Sequence, residues 1–94
     1  MPNIFSKRPD SPFKYDYVAA SNLADLSREV NLSLINVSLG SGFYLLVQSG
    51  NDFDNINLIY DGVAYFGQCF VIKATQRKIV DIEKEDLAYV ESLF

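Results

Sequence analysis

The chain has 94 residues, 49% of them apolar and 21% charged, with a net charge of −4, one cysteine and no histidine. That length suits a single small core, the composition argues against disorder, and one cysteine rules out an internal disulfide. Without histidine the commonest general base and the commonest metal ligand are both missing, and an acidic chain without a basic stripe is a poor nucleic-acid binder, because phosphate neutralisation supplies most of that affinity.

Residues 1–13 contain all three prolines, Pro2, Pro9 and Pro12. Proline lacks the amide donor and restricts its predecessor, so this segment is expected to be a flexible arm without regular structure, with Ile4, Phe5 and Phe13 as the residues that could pin it to the domain. Nothing in it resembles the apolar stretch of a signal peptide, and no run in the chain approaches the roughly 20 apolar residues that span a bilayer. The expected location is cytoplasmic, with no membrane partner. Residues 14–94 then form one α+β domain.

Lys14–Ala20 is ambiguous between strand and helix. From Ser21, a plausible N-cap, Leu23, Leu26 and Val30 recur at helical spacing, and Asn31 is a suitable stop. Leu32–Leu39 places Ile35, Val37 and Leu39 on one face and Asn36 and Ser38 on the other, the alternation of an edge strand with one wet side. After Gly40-Ser41-Gly42, residues Phe43–Ser49 form a strand that is apolar on both faces, followed by a turn-rich loop over 50–55.

Ile56–Ala74 reads as two strands folded about Asp61-Gly62. Asp-Gly suits a type I′ turn, whose central residues both need positive φ. In this register Tyr60 faces Val63, Leu58 faces Tyr65 and Ile56 faces Gly67. Both faces are mostly apolar, as in a strand covered on two sides, so the hairpin is expected at the centre of its sheet. Thr75–Lys78 turns the chain into a short strand at Ile79-Val80. Asp81 is the expected N-cap of a last helix, with Glu83, Glu85 and Asp86 in its first turns and an apolar stripe of Leu87, Val90, Leu93 and Phe94. The expected fold is an antiparallel meander of four to five strands with a helix near the N-terminus and a C-terminal helix. Because strands 43–49 and 63–72 are apolar on both sides, both helices are expected on one face, leaving an aromatic patch exposed on the other; helices on opposite faces would cover both.

No catalytic, metal-binding or cofactor-binding residues are assigned, and no cofactor is expected. Asn51–Asn57 alternates oxygen ligands but lacks the glycine and the bidentate glutamate of a calcium loop, so it reads as a turn. Leu39-Gly40-Ser41-Gly42 precedes a strand rather than the helix a phosphate loop needs. Cys69 lies in an apolar run and reads as a small buried hydrophobe.

What remains is a non-enzymatic protein–protein interaction domain. Its partner would be another protein or a second copy in a homodimer. The candidate interface residues are Tyr60, Tyr65, Phe66 and Tyr89, which combine apolar area with a polar tip or an edge, and the acidic Glu83, Glu85 and Asp86. Size, acidity and the lack of catalytic parts are shared by small inhibitors and adaptors that phages and other mobile elements carry, acting on larger host assemblies. A competing expectation is a small-ligand module with a pocket between helix and sheet lined by Tyr60, Tyr65 and Phe66.

Overall fold

The computed structural model describes residues 2–31, 33–48, 56–76 and 78–94. The chain is α+β: strands β1 (Asn3–Lys7) and β2 (Lys14–Tyr17), helix α1 (Leu23–Val30), strands β3 (Leu34–Gly40), β4 (Phe43–Gln48), β5 (Ile56–Tyr60), β6 (Val63–Phe66), β7 (Cys69–Thr75) and β8 (Lys78–Val80), and helix α2 (Asp86–Ser92). The main sheet runs β2-β1-β7-β4-β3 with β8 also on β7, while β5 and β6 form a separate two-stranded sheet; every pairing is antiparallel.

Three expectations are corrected. The first concerns residues 1–13, where β1 lies inside the sheet between β2 and β7. The prolines bracket a proline-free stretch, and in it Ile4 and Phe5 turn to opposite faces and are both buried. Second, Ile56–Ala74 is three strands rather than two, because the chain breaks at Gly67-Gln68 and only β7 joins the main sheet. The central strand is therefore β7, and the Asp61-Gly62 hairpin stands apart. The pairing is not a simple meander, since β1 takes one side of β7 at Cys69–Val71 and β8 continues along that side at Lys73–Thr75. Third, the helices cover opposite faces rather than one.

On one face α1 packs Leu26, with Leu23 and Val30, against Ile4, Leu46, Phe70, Ile72 and Ile79. On the other, Val90, Leu87, Leu93 and Phe94 of the C-terminal segment meet Phe5, Leu45, Val47 and Val71, and Leu58 of the hairpin joins them. The stripe read from the C-terminal sequence is thus the stripe that packs. Strands β4 and β7 are apolar on both faces because each face has its own layer of cover. No helix among the described residues is long and apolar enough to cross a membrane.

Helix ends follow local chemistry. Asn22, one residue past Ser21, caps α1 by accepting from the backbone N–H of Asp25, and Asn31 closes it in the left-handed region at φ 56°. Glu29 reaches back from α1 to accept from the N–H groups of Ala19 and Ala20, both at 2.9 Å, fixing the loop that leaves β2. Asp81 does not cap α2; its Oδ1 accepts from the backbone N–H of Asn3 at 2.8 Å, tying the exit of β8 to the entry of β1. The helix begins later, at Asp86, whose carboxylate accepts from the N–H of Glu83 at 3.0 Å. The predicted turn over 50–55 and the calcium-like alternation at 51–55 lie outside the described residues.

Candidate functional site

The hairpin forms as its sequence requires. Asp61 and Gly62 take φ values of 52° and 78°, the two positive values of a type I′ turn, and Tyr60 pairs with Val63, Ile59 with Ala64 and Leu58 with Tyr65. The register then shifts, so that Ile56 pairs with Phe66 rather than Gly67. This bulge turns Asn57 inward, where it is 8% exposed.

Asn57 is the polar joint between the hairpin and the main sheet. Its Nδ2 donates to the carbonyl oxygens of Lys7 at 2.7 Å and Gly67 at 2.6 Å. In return the Lys7 ammonium donates to Oδ1 of Asn57 at 2.6 Å and to its backbone carbonyl at 3.0 Å. The end of β1, the start of β5 and the break after β6 are therefore held at one point. Beside it Cys69 is fully buried, and burial pushes its thiol up from the ordinary 9.0 to about 11, against the smaller downward pulls of Lys7 and Asn57. A buried, protonated thiol is not a nucleophile.

Anchored this way, the hairpin turns Leu58, Tyr60 and Tyr65 toward the core, with Tyr60 meeting Phe94 at 5.7 Å between ring centroids. The outward side carries Ile59 and Ile56, 55% and 54% exposed, while Val63, opposite Tyr60 and so on the inward side next to the turn, is 51% exposed. Between Ile56 and Ile72 the only charged side chain is Asp61. The hairpin therefore has a dry inner layer and an apolar outer layer.

The sequence-predicted interface residues divide. Tyr60 and Tyr65 are half-buried inner-layer residues and Phe66 is half-buried. Glu83 and Glu85 are exposed and Asp86 is half-buried, all ahead of or at the start of α2. Tyr89 is 41% exposed and leans on Phe43 at 5.3 Å between centroids. The acidic segment makes a local field: partial burial, then the carboxylates of Glu83, Asp81, Glu85 and Asp86, push the Tyr15 phenol up. That phenol donates to the carbonyl of Ile82 at 2.9 Å, and Lys84 lies 5.4 Å over its ring. Ile56, Ile59 and Val63 were missed because an apolar run on both faces was taken for a central strand. The signal that could have found them is Gly67-Gln68, a break that detaches the hairpin from the strand after it.

No family model, curated protein or solved structure matches this chain. Function must be read from its own surfaces. Besides the hairpin, one open groove of about 790 Å³ lies on the α1 side, with Leu23, Tyr44, Ile72, Ala74 and Ile79 along it and Asn22, Asn36 and Gln76 adding polar groups. It lies between helix and sheet, as the small-ligand expectation required, but its lining differs from Tyr60, Tyr65 and Phe66.

Proposed function

We propose that this chain is a non-enzymatic protein-binding domain, an acidic inhibitor or adaptor that acts on a larger partner through the outer side of the β5–β6 hairpin. The observation that carries this reading is the exposure of Ile56 and Ile59 by more than half each, on the outer side of a sheet whose inner side packs Leu58, Tyr60 and Tyr65 on the core. Apolar side chains exposed together mark contact surfaces more often than scattered ones do. The anchor at Asn57 holds this surface in one orientation, which lowers the ordering cost of binding. The acidic segment Asp81–Asp86 supplies polar recognition and favours a basic partner surface. The non-enzymatic half of the proposal draws support from the lack of histidine and from the burial of the single thiol.

The α1 groove favours a second reading, a module for a small neutral ligand. Native mass spectrometry of the protein isolated gently from its own cells separates the two. A protein adduct lost on changing Ile59→Lys supports the hairpin reading. A retained small molecule, lost on changing Leu23→Lys and kept in Ile59→Lys, supports the groove.

A further inference from the structure

The two ends of the main sheet differ in how they are protected. Strand β2 at one end has only four residues, and Lys14 and Asp16 place an ion pair there at 3.7 Å. Short length and charge are the ordinary devices that stop an edge from pairing with another chain. Strand β3 at the other end has seven residues, pairs only with β4 among the described residues, and carries no charge and no proline. The uncharged stretch around it runs from Val30 to Asn51, whereas residues 81–94 hold five carboxylates against one lysine. The one irregularity of β3 is the bulge between Ser38 and Gly40, at its end.

We infer that β3 pairs antiparallel with β3 of a second copy of this chain, about a two-fold axis at Val37, joining the two main sheets edge to edge. Three observations choose a second copy over any other occupant. Val37 is the midpoint of Leu34–Gly40, so a two-fold there centres the pairing on the strand, with the bulge confined to its end. Within Ile35–Leu39 the sequence is palindromic in chemical class: Ile35 falls opposite Leu39, Asn36 opposite Ser38, and Val37 opposite itself, with only the end pair Leu34 and Gly40 outside the match. Antiparallel partners directly opposite share a face, so apolar meets apolar and polar meets polar on both sides. Ile35, 51% exposed in the single chain, gains an apolar neighbour of the second copy. Finally, the neutrality of the edge lets two acidic chains meet without placing like charges opposite one another. This surface is separate from the hairpin, so the dimer presents two copies of the proposed partner-binding face.

Light scattering on the eluting protein, over a loading series from micromolar to millimolar, reads the assembly directly. The expected mass at the high end is twice the 10.6 kDa of one chain. The double variant Asn36→Lys/Ser38→Lys puts lysines opposite each other at two places, and the dimer should weaken by roughly tenfold. Asn36→Lys/Ser38→Asp should restore it, because each new ammonium then faces a carboxylate of the second copy. Both wild-type side chains are exposed, so a melt of each variant close to wild type is expected. Should a variant fail to fold, Val37→Cys gives an independent readout: it should form a disulfide-linked dimer on mild oxidation, whereas Ile35→Cys, which faces Leu39, should not. A monomer at every concentration, a dimer indifferent to the lysine pair, or equal cross-linking at 35 and 37 each overturns the proposal.

Discussion

Gly62 sits at φ 78° with nothing within 4 Å of where a Cβ would be. Its constraint is therefore backbone conformation alone, since the left-handed region penalises a β-branched residue by about 1–2 kcal/mol. Gly62→Val should lower the unfolding free energy by that amount in a denaturant titration, with the slope unchanged; an unaltered midpoint would remove the turn from the list of constraints. Gly67 differs, because at φ 75° its Cβ would also stand 2.8 Å from Oε1 of Gln48, a flexible side-chain end that can move. Cys69 adds a pH dependence. A thiol whose folded pKa of about 11 exceeds its ordinary 9.0 binds its proton more tightly in the native state. The stability this contributes is fully present below pH 9 and is lost as pH rises toward 11, by up to about 3 kcal/mol. Titrating wild type and Cys69→Ala side by side isolates the effect: the wild type should lose its extra stability over that window, and parallel curves would contradict the assignment.

Elements were legible where local chemistry decides them. Asn31 as a helix stop, Asp61-Gly62 as a turn and β3 as an edge all follow from side chains within a few residues. What was not legible depends on distant contacts. Asn3–Lys7 looks like part of an arm until β2 and β7 supply partners on both sides, and Asp81 looks like a cap until Asn3 takes its carboxylate. The hairpin is the clearest case, because the same apolar pattern serves a strand between two layers or one that leaves an apolar side in solvent. The bulge that places Asn57 could not be read either, since it arises where the hairpin must meet Lys7. Changing Asn57→Leu keeps the volume but removes the donors to the carbonyls of Lys7 and Gly67 and an acceptor of the Lys7 ammonium. Leaving buried polar groups unsatisfied costs about 1–3 kcal/mol each, so the loss should reach at least about 2 kcal/mol. Hydrogen exchange should quicken in β5 and β6 ahead of β4 and β7; uniform exchange would mean that Asn57 does not set the hairpin's position.

At the scale of the whole molecule, one sheet carries two cores, and each helix closes one of them. Of the two arrangements the sequence allowed, helices on one face or on opposite faces, the structure takes the second, which removes the main sheet's faces as interfaces. Surface for a partner then remains on the sheet edges and on the outer hairpin. The aromatic residues named from sequence largely serve the core beneath that surface, and their aliphatic neighbours face out. The acidic lead-in to α2 lies by Asn3 and Tyr15. The central claim, that the outer hairpin receives a protein, is tested most directly by site-specific photo-cross-linking in the native cells. A photoreactive phenylalanine analogue is placed at Ile59 in one sample and at Ala24, on the rim of the α1 groove, in another. A discrete protein adduct from position 59, not matched from position 24, is the predicted result. No adduct at 59, or equal adducts at both positions, would contradict it.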